Sequence, residues 1–411
     1  MNPRLLLGLL PLLIGVVFLG CAESPADEAS AENEGGSEAV FRDVTESHLP
    51  TDALGGLSMD AKPADLDADG DLDIVIANEF RPNILLVNDG AGRFTDGSDR
   101  LPAAEHDSED VGIADFDGDG DLDVIVVTED DQTNEFYLND GSGTFTDAGD
   151  RWPVSGTSNA VVVVDLTGDG APDILVGNNG QNVALVNDGS GQFTDATAER
   201  LPARDDVTQD LELGDVDGDG DLDLIVGNED DNRLLINDGR GVFSDAPDAI
   251  PLRDAPEETR EADFGDVDGD GDLDLLFANV QLFVDGADPQ NRLLINDGSG
   301  QFTDETAARL PVDTLRALDV DFVDLDDDGD LDIITANVQT PEREIRSAPY
   351  QVWINDGDGR FEIDSLLPES AVGRGLDIEA ADYTGDGGLD LYLASRGTVD
   401  RLLFGPAPSE N

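Results

Sequence analysis

Acidic residues recur at alternate positions of one short segment, a pattern typical of a site for a hard cation. The clearest copy is DFDGDGDLD, from Asp115 to Asp123, with five carboxylates in nine residues. Calcium takes six to eight oxygen ligands, and alternation lets every second residue converge on one point while a glycine permits the sharp bend. Without a counter-ion, two carboxylates 4 Å apart repel by about 1 kcal/mol even in water. The segment therefore predicts calcium binding rather than an acidic surface turn.

Seven such acidic segments begin at intervals of 50 to 58 residues. We assign positions 1, 3, 5 and 9 as side-chain ligands and position 7 as a backbone-carbonyl ligand, because position 7 is Ala171 in the third segment and Gly388 in the seventh. Thr167 and Thr384 replace the acid at position 3 of these two segments, which predicts that they bind calcium most weakly. The predicted metal-site residues are Asp65, Asp67, Asp69, Asp71 and Asp73; Asp115, Asp117, Asp119, Asp121 and Asp123; Asp165, Thr167, Asp169, Ala171 and Asp173; Asp215, Asp217, Asp219, Asp221 and Asp223; Asp266, Asp268, Asp270, Asp272 and Asp274; Asp324, Asp326, Asp328, Asp330 and Asp332; and Asp382, Thr384, Asp386, Gly388 and Asp390.

An EF-hand is excluded as the source of this pattern. EF-hand loops need a bidentate acid at position 12 and flanking helices. Position 12 is apolar or threonine in every segment, and the flanking sequence has the character of strands. The residues at position 12 are Ile76, Val126, Val176, Val226, Phe277, Thr335 and Leu393.

The elements around the acidic segments predict four short strands in each repeat. A strand with small residues leads into the acidic segment, an apolar strand leaves it, and a third strand ends in an Asn-Asp-Gly turn followed by a short strand that begins with phenylalanine. Asn-Gly and Asp-Gly pairs favour hairpin turns. Four hairpin-linked strands at a period near 50 are typical of a β-propeller blade. An open solenoid would need capping ends, and the calcium-binding β-helix has a nine-residue period.

The two ends of the repeat region complement each other. The last repeat stops after its third strand, near Phe404, whereas FRDVTESHLP, from Phe41 to Pro50, resembles FTDATAERLP, from Phe193 to Pro202. We therefore expect an all-β, seven-bladed β-propeller of four-stranded blades. The N-terminal segment supplies the last strand of the seventh blade, which closes the ring without a free sheet edge.

The first twenty residues predict a signal peptide, since a fifteen-residue apolar run is short for a membrane span. The run ends in VFLGC, which resembles a bacterial lipobox, and Cys21 is the only cysteine. We expect a lipoprotein signal at residues 1–20, a lipidated Cys21, an acidic tether at 21–39, the propeller at 40–405 and a tail at 406–411. Ala22 after the cysteine resembles the sorting signal for the Gram-negative outer membrane. An ordinary signal peptide remains the alternative.

Charge and composition limit the partners. The chain has 94 acidic and 22 basic side chains and a net charge of −72, which excludes nucleic acid and leaves membrane contact to the lipid anchor. Two long insertions, at 279–291 and 337–351, interrupt the fifth and sixth repeats. The second carries Arg343, Arg346 and Tyr350, residue types favoured at interfaces, so it predicts a partner contact on a monomeric protein. A tolerated surface insertion remains open.

These motifs together resemble the FG-GAP/VCBS repeats of integrin-α-type calcium-binding β-propellers, over about residues 40–404. The resemblance includes the acidic segments, the N-D-G-x-G-x-F-T-D segments, and apolar strands ending in Gly-Asn or Ala-Asn; Thr128 and Glu129 depart from the last of these patterns. It implies calcium in the hairpin between the first and second strands of each blade. The family contains adhesion modules, surface lipoproteins and propellers attached to enzymes. The expected function is a calcium-stabilised surface scaffold that binds a protein or polysaccharide through the face opposite the acidic segments. A calcium-dependent polysaccharide lyase or hydrolase is the alternative. The asparagines that end the apolar strands are Asn78, Asn178, Asn228, Asn279 and Asn337.

Overall fold

The computed structural model describes residues 40–129, 133–253, 255–312, 314–340 and 344–408. Across these ranges the chain forms antiparallel sheets, and helical structure is limited to turns of three or four residues. The all-β prediction is confirmed. In the described part of the chain, no helix has the length and apolar character needed to cross a membrane. The lipidation site Cys21 lies outside the described residues.

The described strands form seven four-stranded repeat units, each with its first strand before an acidic segment and its second strand after it. Strand β1 (Arg42–Asp43) and helix α1 (Thr45–His48) precede unit one. Units one to three comprise β2 (Ser58–Ala64), β3 (Asp73–Arg81), β4 (Ile84–Asn88) and β5 (Phe94–Asp96); β6 (His106–Ala114), β7 (Asp123–Thr128), β8 (Glu135–Asn139) and β9 (Phe145–Asp147); and β10 (Ser158–Val164), β11 (Asp173–Gly180), β12 (Val183–Asn187) and β13 (Phe193–Asp195).

Units four to seven continue the pattern, with α2 (Thr197–Arg200) before unit four and α3 (Thr306–Arg309) before unit six. They comprise β14 (Asp206–Gly214), β15 (Asp223–Asn228), β16 (Arg233–Asn237) and β17 (Phe243–Asp245); β18 (Thr259–Gly265), β19 (Asp274–Asn279), β20 (Arg292–Asn296) and β21 (Phe302–Asp304); β22 (Arg316–Val323), β23 (Asp332–Gln339), β25 (Gln351–Asn355) and β26 (Phe361–Asp364), with β24 (Arg346–Pro349) beside β23; and β28 (Gly375–Ala381), β29 (Asp390–Ser395) and β30 (Arg401–Phe404), after the short β27 (Val372–Gly373).

The fourth strand of the last unit comes from the other end of the chain. Strand β1 pairs with β30 in antiparallel register, with Arg42 opposite Phe404. Phe41 is 2% exposed and packs in a cluster with Leu391 and Leu403. The first strands of units one and seven also meet, because the Ala61 N–H donates to Asp377 at 3.0 Å.

The apolar core lies between neighbouring units rather than inside one sheet. One cluster joins Leu85 of unit one with Val124 of unit two, and another joins Ile74 of unit one with Leu402 of unit seven. Second strands such as β7 are buried along their whole length, which explains their uninterrupted apolar runs. Strand β3 also extends beyond its unit to pair with β6, an extension that the repeat pattern did not predict.

Candidate metal centre

Each acidic segment is the connection between the first and second strands of a unit. In unit two, β6 ends at Ala114 and β7 begins at Asp123. Gly118 and Gly120 have φ values of 74° and 100°, in the left-handed region that favours glycine. The turn therefore depends on the glycines at positions 4 and 6.

The aspartate at position 1 holds this turn by accepting backbone hydrogen bonds. Asp115 Oδ1 accepts from the N–H groups of Gly118 at 2.8 Å and Asp119 at 3.1 Å, and its Oδ2 accepts from Gly120 at 3.0 Å. In the other six segments the backbone N–H of the glycine at position 6 also donates to the aspartate at position 1. These aspartates are Asp65, Asp165, Asp215, Asp266, Asp324 and Asp382. One carboxylate thus shapes each loop.

The aspartate at position 9 ties the loop to the Asn-Asp-Gly turn. Asp123 is fully buried; its Oδ2 accepts from the Phe116 N–H at 3.0 Å and its Oδ1 from the Asn139 N–H at 2.9 Å. Burial raises the pKa of Asp123 to about 6. The Asn139 side chain also donates to the Leu66 carbonyl of the preceding unit at 2.8 Å. Sequence reasoning treated this asparagine as a turn residue and missed its bridging contact, although its recurrence in six repeats, each time six residues before a phenylalanine, was a signal.

The side chain at position 7 is directed at the glycine of the neighbouring turn. A Cβ atom at Gly141 would lie 2.5 Å from Asp121 Oδ2, and at Gly90 it would lie 2.4 Å from Asp71 Oδ2. The carboxylate occupies the space that the glycine leaves. This placement agrees with a position 7 ligand that uses its backbone carbonyl, and with the occurrence of alanine or glycine there in two segments. The equivalent aspartates Asp221, Asp272 and Asp330 face Gly239, Gly298 and Gly357 in the same way.

The aspartate at position 3 supplies oxygens that are free to bind a cation. Oδ1 atoms of Asp67, Asp117 and Asp268 are buried and have no hydrogen-bond partner among the described residues. Burial, with the charge of Asp119 next in importance, raises the pKa of Asp117. A buried acceptor without a partner costs about 1–3 kcal/mol, so these oxygens favour a cation.

Ligand oxygens from several positions converge. Atoms of Asp115, Asp117 and Asp123 lie within 4.8 Å of one another, and the same holds for Asp215, Asp217 and Asp223 and for Asp65, Asp67 and Asp69. The groups contain only oxygen donors, which calcium prefers. The residues present therefore fit a calcium ion held by positions 1, 3, 5 and 9.

An arginine from the end of a unit reaches some of these loops, a contact that sequence reasoning missed. Arg100 Nη1 lies 3.3 Å from Asp67 Oδ2, and Arg309 Nη2 lies 3.1 Å from Asp268 Oδ2. In the third and seventh segments, Thr167 and Thr384 instead donate to the position 1 aspartate at 3.5 and 3.3 Å. Weaker binding at these two segments stays a prediction.

The residues predicted to contact a partner in the second insertion do not form one exposed cluster. Tyr350 is 3% exposed, and its hydroxyl donates to the Ala394 carbonyl at 2.8 Å. The prediction that Tyr350 belongs to an exposed contact site is wrong, because its ring is part of the core between units six and seven. Arg346 is exposed and pairs with Glu344 at 2.6 Å, whereas Arg343 lies outside the described residues.

A model of the FG-GAP-like repeat matches residues 65–126, 115–176, 165–226, 215–277 and 280–335. These matches span more than half of the chain, so the chain belongs to the FG-GAP-like repeat family. A search of curated proteins found no match.

Solved structures resemble the fold at low sequence identity. BBS1N in complex with ARL6DN is 11% identical, with a TM-score of 0.55 over 90% of this chain and 99% of that chain. YCF48 bound to D1 peptide is 8% identical, with a TM-score of 0.54 over 90% of this chain and 96% of that chain. A lectin from Agrocybe aegerita is 19% identical, with a TM-score of 0.49 over 77% and 81% of the two chains. The first two similarities support a propeller-like fold.

Proposed function

We propose that the protein is a calcium-stabilised, lipid-anchored binding or adhesion scaffold outside the cytoplasm. The observation that carries the proposal is the convergence of unpartnered carboxylate oxygens, such as Asp117 Oδ1, at a loop whose backbone is already held by Asp115. Calcium would neutralise the repulsion in each loop and couple it, through the position 9 aspartate, to the neighbouring Asn-Asp-Gly turn. The role of the ion is structural.

The seven repeat units would form a closed seven-bladed propeller, with β1 as the last strand of the seventh blade. The pairing of β1 with β30 and the Ala61–Asp377 hydrogen bond between the first and last units support closure. In this arrangement no sheet edge at the ends of the chain is left open to another protein, which favours a monomer.

The partner would bind the face opposite the acidic segments. Acidic segments and Asn-Asp-Gly turns lie at one end of the strands, whereas the insertions at 279–291 and 337–351 connect second and third strands at the other end. Exposed Phe283 and Arg346 belong to these insertions. The solved structures that share the fold include one in complex with ARL6DN and one bound to a peptide, which supports a binding scaffold. A protein or polysaccharide at a bacterial surface is the proposed partner, and Cys21 would hold the protein at the outer membrane.

Binding to outer-membrane components tests this function. Full-length protein in detergent would be applied to immobilised outer-membrane proteins and to a panel of acidic and neutral polysaccharides, in calcium and after chelation. We expect a saturable interaction in calcium that Arg346→Ala weakens and that Arg360→Ala, an exposed arginine between an Asn-Asp-Gly turn and β26, leaves unchanged. Release of sugar fragments from a polysaccharide would instead support the enzymatic alternative. Lack of binding to the whole panel would contradict the scaffold function.

A further inference from the structure

A cavity of about 300 Å³ lies among the first strands of the units, away from the acidic segments. We call it the inner-strand cavity and define it by Met59, Glu109, Asp210, Glu261, Leu318 and Asp377, which come from six different first strands. Asp60 in its lining precedes the acidic segment at Asp65 by five residues, or roughly 17 Å along a strand. The cavity is therefore distinct from the proposed calcium sites.

Several carboxylates of this cavity have a structural role. Asp377, Asp60, Asp110 and Asp210 each accept a hydrogen bond from a backbone N–H of a neighbouring unit's first strand. The donors are Ala61 at 3.0 Å, Val111 at 3.0 Å, Val161 at 2.7 Å and Ala262 at 3.0 Å, respectively. These contacts join first strands side by side and leave other carboxylates for another purpose.

The wall of the cavity already holds an alkylammonium group. The ammonium of Lys62, the only lysine in the chain, lies 2.8 Å from Glu379 and 3.4 Å from Asp60. Oxygens of Asp60, Asp377 and Glu379 lie within 4.8 Å of one another. The surroundings are thus able to accommodate a primary ammonium carried by an aliphatic stem.

The remaining acidic groups exceed the positive charge available. Seven carboxyl groups and three basic groups line the cavity. Two of the basic groups have acidic partners elsewhere: Arg260 pairs with Glu229 and Glu258, and Arg396 pairs with Glu79. The lining is therefore short of cations.

Glu109 and Glu261 carry this excess. Neither side chain forms a hydrogen bond or an ion pair with any residue in the described ranges, although both line the cavity. Burial raises the pKa of both, and the next cause is a nearby aspartate, Asp107 for Glu109 and Asp210 for Glu261. Asp319, next to the lining residue Leu318, is 4% exposed, and its Oδ2 has no partner in the described part of the chain.

Part of the cavity lining is apolar. Leu282, Leu318, Ile345 and Leu376 belong to one hydrophobic cluster there, and Phe283 is 66% exposed with the Arg260 guanidinium 5.0 Å from its ring. A bare calcium ion would need six to eight oxygens and would gain nothing from these side chains. An aliphatic stem would pack against them, and its ammonium, with three N–H donors, would match the unpartnered carboxylates inside.

We propose that the inner-strand cavity binds a primary ammonium on an aliphatic stem, the chemistry shared by a free alkyl diamine and by a lysine side chain of a partner. The cavity contains residues of both insertions, Phe283 and Ile345, so it lies on the proposed binding face. The inference therefore rests on the proposed function and names the chemistry that the face recognises.

Calorimetric titration of the full-length protein, with calcium at saturating concentration, tests the site. The ligands are 1,5-diaminopentane, a lysine-containing peptide and the same peptide with its lysine acetylated. One variant combines Glu109→Gln with Glu261→Gln. The control variant, Glu199→Gln, removes an acidic charge from an exposed helix outside the cavity. We expect one saturable site for the diamine, at least tenfold weaker binding in the double variant, and less than twofold change in the control.

The titrations distinguish a partner's lysine from a free diamine as the source of the ammonium group. Binding of the unmodified peptide that is at least tenfold tighter than that of the diamine assigns the site to a partner's lysine; the reverse order assigns it to a free diamine. Equal binding to wild type and the double variant, displacement of the ligand by additional calcium, or no binding of either ligand at 10 mM would overturn the proposal. If the double variant does not fold, saturation-transfer NMR of the diamine with wild-type protein decides. If no ligand binds but calcium still stabilises the protein, the cavity proposal is overturned and the proposed calcium-stabilised scaffold is not.

Discussion

Exchanging Asp117 for asparagine should have effects of opposite sign with and without calcium. Asp117 supplies a buried, unpartnered oxygen near Asp115 and Asp123. Extracellular calcium modules bind with Kd values of about 0.1–1 mM, so 10 mM calcium stabilises a filled site by about 1.4–2.7 kcal/mol. Asp117→Asn should lose most of this contribution. In metal-free protein the same change removes one carboxylate from a repelling group, which is worth about 1 kcal/mol per pair at 4 Å.

The expected change in melting temperature follows from the size of the repeat region. With about 2 cal/mol/K of unfolding entropy per residue, a unit as long as Glu38–Asn411 changes its Tm by roughly 1.3 °C per kcal/mol. Asp117→Asn should therefore lower Tm by about 2–4 °C in 10 mM calcium and raise it by about 1 °C per relieved carboxylate pair without metal.

Asp121→Asn is the matched control, since it makes the same chemical change in the same loop. The Asp121 carboxylate faces Gly141 rather than the converging oxygens. We expect its calcium-dependent gain in Tm to equal that of wild type. Scanning calorimetry of the three proteins, with and without calcium, measures these differences. The ligand assignment would be refuted if Asp117→Asn lowered Tm equally with and without calcium. It would also be refuted if both variants lost the same amount of calcium-dependent gain in Tm.

Three further predictions address pH, the N-terminal strand and the second insertion. Burial raises the pKa of Asp73, Asp123 and Asp223 to about 6 and of Asp274 to about 7, so metal-free folded protein binds more protons than unfolded protein between about pH 4 and pH 7. Its free energy of unfolding should fall as pH rises through this window and recover on addition of calcium at pH 7; chemical denaturation across pH measures this, and a stability that rises with pH would contradict it. Phe41→Ala should cost about 3–5 kcal/mol by urea denaturation because Phe41 is buried against the last unit, whereas a loss below 1 kcal/mol would argue against β1 as a structural strand. Tyr350→Phe should lower the free energy of unfolding by about 0.5–1.5 kcal/mol and leave partner binding intact, whereas Arg346→Ala should weaken partner binding and leave the free energy of unfolding unchanged. Loss of partner binding in Tyr350→Phe but not in Arg346→Ala would show that Tyr350 is a contact residue.

Much of the fold could be predicted because the repeat displays the same information many times. The acidic segment and the Asn-Asp-Gly turn each mark a hairpin, and together they place all four strands of a unit. Comparison of the segments also separated position 7 from the other positions, since Ala171 and Gly388 occur there. The contact of Asp121 with Gly141 supplies the physical reason.

Contacts between units were harder to predict, because they depend on how one repeat is placed against the next. The bond from Asn139 to Leu66 and the bond from Val111 to Asp60 both cross between units. Tyr350 was misjudged for a related reason: its insertion has polar neighbours in sequence, but its hydroxyl finds a buried acceptor more than 40 residues away. Local composition does not reveal such a partner.

Long-wavelength anomalous diffraction from crystals grown in calcium tests the central claim most directly. We predict an anomalous peak in the loop from Asp115 to Asp123, coordinated by carboxylates at positions 1, 3, 5 and 9 and by the backbone carbonyl of Asp121. Equivalent peaks should occur in the related loops, with the weakest in the loops that contain Thr167 and Thr384. Absence of peaks from the loops, or a calcium ion held by the Asp121 carboxylate instead of that of Asp117, would contradict it.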